Sequence, residues 1–254
     1  MEATEALTVF EGIVSVRSLI EASLSGSNDR KILKILYDET RTAAKAKEFG
    51  WLSHRAEEMG FSLETVSPDV IDSVTNGNTH GGIAAFCGER SFPDASLLNR
   101  DNGSFLVWME GIEDPYNFGY SIRSLYACGT DAILLSPRNW MSAAGTVSRS
   151  SAGASERIPM YTVTDPEKTV RHLKEEGFRI VCADLRDAVP LSETELKKPL
   201  LLIVGGEKRG ISRSLLDLSD VRVSIDYGRP FGESLSAASA ATIFGYEIFK
   251  ANKR

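Results

Sequence analysis

At 254 residues and 42% hydrophobic content, the chain is long enough for one large domain or two ordinary ones with packed cores. No apolar run approaches the roughly 18 residues of a membrane span. The acidic opening Met1-Glu2-Ala3-Thr4-Glu5 is unlike a signal peptide, so the expected compartment is cytoplasmic, with no membrane partner.

The formal charge of −6 argues against a uniformly basic nucleic-acid surface. Arg138, Arg149, Arg157, Lys208, Arg209 and Arg213 nevertheless lie near the segments singled out below, so a basic rim on an acidic body is compatible with the sequence. Cys87, Cys128 and Cys182 are odd in number and widely spaced, which reads as reduced core thiols rather than a disulfide framework. His54, His80 and His172 form no ligand-spaced pair, and no metal is expected.

Along the chain, 12–20 repeats apolar positions at helix spacing, 32–37 reads as a buried strand, and 42–59 as an amphipathic helix. Short strands at 62–66 and 82–86 complete a compact α/β unit over 1–90, a normal size for a small domain. Residues 91–103 carry Pro93, Asn99, Asp101, Asn102 and Gly103 and have the composition of a linker. Beyond it, in 104–254, strands at 105–109, 132–135, 179–183, 200–204 and 221–225 alternate with helical stretches, which implies a parallel sheet covered on both faces. The last helix, 234–251, begins with small residues that permit close approach and ends with Ile243, Phe244, Tyr246, Ile248 and Phe249. That apolar end suits either an intramolecular core or a subunit interface.

Three segments carry chemistry. Asp114-Pro115-Tyr116-Asn117-Phe118-Gly119 starts a helix, with aspartate capping free amides and proline in the first turn. Ile122, Leu125, Tyr126 and Gly129 then fall on its expected inner face, while Arg123 stands beside that stripe, one turn after Gly119. Gly205 and Gly206 end the most apolar strand, where open parallel sheets put their ligands, and Glu207 follows. Gly232-Glu233-Ser234-Leu235-Ser236 opens the last helix, with Ser234 as the expected cap. This segment lacks the final glycine of a serine-hydrolase elbow, and neither a phosphate loop nor a dinucleotide fingerprint is present.

In this order the segments resemble the SpoU/TrmH branch of the SPOUT methyltransferases, which move a methyl group from S-adenosyl-L-methionine to a ribose 2′-hydroxyl of RNA. The first family motif corresponds to 114–129 with Asn117 and Arg123, the second to 202–210 with Glu207, and the third to 225–241 with Ser234. The N-terminal unit is similar, more loosely, to the family's ribosomal-protein-like RNA-binding domain, with 11–17 at its start and 80–84 at its end. The resemblance implies an α/β fold whose C-terminal parallel-sheet domain carries a deep trefoil knot. It also implies a homodimer with both active sites at the subunit contact, and an RNA substrate, ribosomal rather than transfer.

The same resemblance assigns Arg123, Asn117, Glu207 and Ser234 to catalysis. Backbone around Gly205, Ile225 and Leu235 is expected to hold the adenosine part of the cofactor, with Gly206 and Gly210 in the same binding set. The family is thought to use the arginine as a base. A guanidinium stays protonated in proteins, which favours Arg123 as a phosphate ligand and donor to the developing oxyanion. Two positions depart from the family pattern: Ser236 stands where asparagine is usual, and His80-Gly81-Gly82 replaces His-Gln-Gly. Ser236 and the acidic charge also fit a second reading, a non-catalytic SPOUT-fold RNA-binding protein that keeps the cofactor pocket.

Overall fold

The computed structural model describes residues 7–76, 79–98, 103–136 and 143–253. Asn99, Asp101 and Asn102 of the expected linker, and Arg138 of the expected basic cluster, lie outside the described residues. Two compact units result, one reaching to Ser91 and taking back the stretch up to Arg157, the other beginning at Phe92 and resuming at Ile158.

In the first unit, β1 (Thr8–Glu11), α1 (Gly12–Ser25), β2 (Ile32–Asp38), α2 (Ala46–Met59), β3 (Ser62–Val66), α3 (Pro68–Val74) and β4 (Ile83–Cys87) follow in chain order. The strands form a mixed sheet in the order β1-β4-β2-β3, with β4 antiparallel to both neighbours and β2 parallel to β3. Phe10, Leu19, Ile20, Ile35, Tyr37, Leu52 and Ile83 build its core. Sequence periodicity does not reveal β1 or α3, because four or seven residues are too few to show a repeat.

The second unit opens with β5 (Phe105–Glu110), α4 (Pro115–Ala127) and β6 (Ala132–Leu135). Two short helices follow, α5 (Ala144–Ser150) and α6 (Ala154–Arg157), and these belong to the first compact unit. Glycine makes this close approach possible: a Cβ at Gly145 would stand 2.2 Å from the Val9 carbonyl oxygen, and one at Gly153 1.9 Å from Ser18 Oγ. Arg149 and Arg157 of the expected basic rim are instead paired here, with Glu11 at 2.8 Å and Glu21 at 2.7 Å.

The remaining elements are β7 (Met160–Thr162), α7 (Pro166–Glu175), β8 (Arg179–Ala183), β9 (Val189–Pro190), β10 (Leu200–Gly205), α8 (Arg213–Leu218), β11 (Val221–Ser224) and α9 (Ala237–Asn252). The seven strands are all parallel, in the order β7-β6-β5-β10-β8-β11-β9. Leu200 to Val204 are all buried, as a central strand covered on both faces requires. Side chains alternate, so Leu106, Trp108, Leu201, Ile203, Ile180 and Cys182 share one face with Val170, Leu173 and Leu215 from α7 and α8. Burial pushes the Cys87 and Cys182 thiols up to about 12, the behaviour of inert core residues.

The expected linker is partly structured within the second unit. Asp94 accepts a hydrogen bond from the Ser96 amide at 2.9 Å and another from the Thr164 hydroxyl at 2.8 Å, and Thr162 N–H donates to the Pro93 carbonyl at 2.8 Å. Those bonds, led by Ser96, hold the Asp94 carboxyl down to about 2. On α4 the buried stripe is Phe118, Ser121, Ile122 and Leu125; Tyr126, expected inside, is 42% exposed because the helix sits one step round from the expected phase.

α9 starts later than expected. Its cap is Ser236, whose Oγ accepts from the Ser239 amide at 3.2 Å, and not Ser234. Replacing Ser236 by alanine should cost about 1 kcal/mol of stability, measured from the urea midpoint. An unchanged midpoint would remove this capping role. The small residues of α9 pack against α4: a Cβ at Gly245 would lie 3.2 Å from Leu125 Cδ2, and Thr242 Oγ1 reaches Ser124 Oγ at 2.7 Å. No described helix is long and apolar enough to cross a membrane.

Candidate functional site

Register alone brings two of the three segments together. β10 lies beside β5 with Gly205 opposite Glu110, so both strands deliver their next residues to the same edge of the sheet. Past β5, Asp114 caps α4 by accepting from the Asn117 amide at 2.7 Å. Past β10, Gly206 N–H donates to the Glu110 carbonyl at 2.7 Å, and Gly210 N–H closes a tight turn onto the Gly206 carbonyl at 2.8 Å. Glu110 also holds the turn with its side chain, accepting from the Ser212 amide at 3.0 Å.

Neither Gly205 nor Gly206 has room for a side chain. A Cβ would stand 2.4 Å from the Gly210 carbonyl carbon in the first case and 2.1 Å from the Gly111 carbonyl oxygen in the second. Gly210 has φ of +62°, a left-handed conformation that favours glycine. The result is a loop of bare backbone at the carboxyl end of the central strand.

A crevice of about 690 Å³ opens there, between the ends of β8, β10 and β11 and the start of α9. This is the carboxyl edge of the parallel strands, where open α/β sheets bind ligands. Seven of the residues assigned to catalysis or cofactor binding line it, Gly205, Gly206, Glu207, Gly210, Ile225, Ser234 and Leu235, and so do Arg209 and Arg213 of the expected basic rim. Asn117 joins them through Glu207, its Nδ2 donating to Oε1 at 2.9 Å across ninety residues of chain.

Arg123 is not brought to this crevice. It lies roughly 240° round the helix axis from Asn117, at about 3.6 residues per turn. It is exposed there, on the outer face of α4 with Tyr116 and Tyr120, and has no partner among the described residues. Exposed tyrosine and phenylalanine side chains recur on α9, where Tyr246 is 55% and Phe249 40% exposed.

Other crevice residues were not found from sequence. The stretch from Ala183 to Asp187 forms one wall, and Tyr227 another. Tyr227 Oη accepts from the Leu235 amide at 3.3 Å and so fixes the turn into α9. Position just after a strand end in a parallel sheet is the signal that points to both. Arg222 is held between Asp217 at 3.4 Å and Asp187 at 3.9 Å, and Arg213 lies 3.0 Å from Asp217. Among the described residues, no group of three or more histidine, cysteine, aspartate or glutamate side chains is placed to hold a metal ion.

Comparison with known proteins places the chain in a family. Residues 104–246 match the model of the SpoU rRNA Methylase family, and residues 11–93 match the model for RNA 2′-O ribose methyltransferase substrate binding. A protein of Staphylococcus haemolyticus, named as a TrmH family tRNA/rRNA methyltransferase, is 27% identical over 243 residues, with 94% of each chain covered. A Staphylococcus aureus protein of the same name is 28% identical, covering 94% of this chain and 95% of its own.

Among solved structures, the AdoMet-bound rRNA methyltransferase from Sinorhizobium meliloti superposes with a TM-score of 0.80 at 20% identity, covering 98% of this chain and 88% of that one. The SpoU methyltransferase AviRb from Streptomyces viridochromogenes, in complex with AdoMet, gives 0.77 at 21% identity, over 95% and 89%. The family match spans more than half of the chain and contains every residue of the crevice, and on that ground the protein belongs to the SpoU rRNA Methylase family.

Proposed function

We propose that this protein is an S-adenosyl-L-methionine-dependent methyltransferase that acts on a ribose 2′-hydroxyl of RNA, ribosomal rather than transfer, as a cytoplasmic homodimer with a knotted C-terminal domain. The observation that carries the reading is the Asn117 to Glu207 hydrogen bond at the rim of a glycine-floored crevice. Support also comes from the family match and from the substrate-binding match over 11–93.

The crevice fits the cofactor on its own terms. Gly205 and Gly206 let the turn pack directly on the backbone of Gly210 and Gly111, which fixes the shape of the crevice floor, and Val204, Ile225 and Leu235 add apolar walls. The volume of about 690 Å³ falls within the range of small-molecule sites, about 300–1,000 Å³. Gly205, Ile225 and Leu235 would hold the adenosine part, with Gly206 and Gly210 beneath it. When bound, the cofactor supplies an electrophilic methyl group on a sulfonium.

What remains for the protein is the alcohol, which must lose its proton as it attacks. Donors aimed at the developing oxyanion lower that barrier. Arg123 is assigned this role, together with binding of the neighbouring phosphate, while Asn117 and Glu207 orient the nucleotide and Ser234 offers its hydroxyl at the crevice wall. Because Arg123 faces away from the crevice of its own chain, the assignment requires the second subunit. The exposed tyrosines of α4, with Tyr246 and Phe249 of α9, supply an apolar surface suited to that contact.

Ser236 bears on the non-catalytic reading. In this structure it caps α9, a task serine performs as well as asparagine, so its presence leaves that turn intact. The test is methylation of RNA from cells lacking the protein, with tritiated cofactor, followed by mapping of 2′-O-methyl riboses. Label at a ribose of ribosomal RNA is expected. Label in transfer RNA would overturn the choice of substrate, label on a base would overturn the reaction, and cofactor binding without any transfer would establish the non-catalytic reading.

A further inference from the structure

Among the described residues, all but four arginine side chains have an ion-pair, hydrogen-bond or aromatic partner; the exceptions are those of Arg123, Arg186, Arg209 and Arg229. All four belong to the second unit, and all are exposed. Arg186 and Arg209 line the crevice, from the turns after β8 and β10. Arg229 falls between the crevice residues Tyr227 and Ser234, in the stretch that also carries Phe231. The Phe231 side chain is 58% exposed, with its ring centroid 6.0 Å from that of Tyr227.

The nearby carboxylates are mostly engaged. Asp184 accepts from the Leu185 and Arg186 amides at 2.7 and 3.2 Å, and Asp226 accepts from the Ser192 amide at 3.2 Å. Glu207 takes Asn117, while Asp187 and Asp217 face Arg222. Glu233 is the one carboxylate of 225–236 without a described partner. Two guanidiniums on the crevice wall, Arg186 and Arg209, and a third in the stretch between Tyr227 and Ser234 thus have no described side-chain partner, which leaves their donor forks free to meet an anionic ligand.

We propose that Arg186, Arg209 and Arg229 seat successive phosphates of a single-stranded RNA segment around the crevice, and that Phe231 stacks on an unpaired base of the same strand. The inference rests on the RNA reading above and names which residues hold the strand. Guanidinium forks suit phosphate oxygens, and an exposed ring beside a basic track suits an unstacked base. These arginines position the RNA and take no part in the methyl transfer.

The probe is a fluorescein-labelled single-stranded oligoribonucleotide of mixed sequence, bound to the full chain across a potassium chloride series. Each phosphate contact to a single strand contributes about 0.7 to the slope of log affinity against log salt. The combined variant Arg186→Ala, Arg209→Ala, Arg229→Ala should therefore flatten the slope by about 2. Its circular dichroism should match wild type, and the single variant Arg229→Ala, at a residue that does not line the crevice, should flatten the slope by about 0.7 with cofactor affinity by equilibrium dialysis unchanged. Phe231→Ala should weaken binding about tenfold with the slope unchanged.

A control lacking the cations of Lys168, Lys197 and Lys253 carries the same net charge and should keep the wild-type slope. An unaltered slope in the triple arginine variant, an equal loss in the lysine control, or an unaltered slope in Arg229→Ala would each overturn the proposal while leaving the methyltransferase reading in place. Wild-type protein that bound neither cofactor nor RNA would remove both.

Discussion

Arg123→Ala is expected to lower kcat for methyl transfer by a factor of about 10² to 10³, the typical loss of a single oxyanion donor. Affinity for S-adenosyl-L-methionine should remain near wild type, because Arg123 does not line the crevice. Stability should also be unaffected, since the side chain is exposed and unpartnered among the described residues. This combination separates a chemical role from a structural one. An active alanine variant would take the arginine out of the reaction.

The position of Arg123 on the outer face of α4 adds a second arm to that experiment. If the guanidinium serves the crevice of the other subunit, Arg123→Ala and Glu207→Ala proteins should each be inactive alone, yet regain activity when unfolded and refolded together. Hybrid dimers would then contain one site with both groups intact. A mixture that stayed inactive while forming dimers of native stability would rule out sharing between subunits.

The largest stability effect is expected at Glu156, in the first unit. Its carboxylate lies 3.2 Å from Arg30 Nε and accepts from Asn28 Nδ2 at 2.6 Å, with Glu156 3% and Arg30 5% exposed. Arg30 also donates to the Gly88 carbonyl at 2.7 Å, and Arg90, equally buried, donates to the Ser155 carbonyl at 2.6 Å. Burial lowers the pKa of Arg90, and the negative charge of Glu156 opposes that shift. Glu156→Ala would take from the buried Arg30 its carboxylate partner and leave Arg90 with the negative charge of Asp29 but not that of Glu156.

Breaking such a pair from one side costs about 3–5 kcal/mol, because the remaining charge stays desolvated. For a unit of this size the thermal midpoint should fall by at least about 10 °C. Glu156→Gln keeps the shape and removes the charge, so it should recover only a minor part of the loss. A change below about 1 kcal/mol in either variant would mean that water or neighbouring groups already compensate these arginines.

Local sequence was sufficient for elements whose signals act over a turn or a strand. Asp114-Pro115 announces the start of α4, which begins at Pro115, and the unbroken apolar run from Leu200 marks a central strand that is buried throughout. Short elements escaped: β9 is two residues long, too short for any period to register. Phase was also lost. The inner stripe of α4 is set by packing against α9, which decides that Tyr126 faces outward although its spacing allows either side.

Sequence by itself thus determined that this is an α/β protein with a parallel sheet, that glycines end its central strand, and which family's motifs it carries. Tertiary structure alone decided the partners. Inserting β10 between β5 and β8 is what sets Asn117 against Glu207, and returning α5 and α6 to the first unit is what turns Arg149 and Arg157 from candidate RNA ligands into ion-paired supports. The reason is one of range: backbone preference and hydrophobic period are read within a few residues, whereas a side chain's partner depends on which strands become neighbours, and that is settled by burial of the whole sheet.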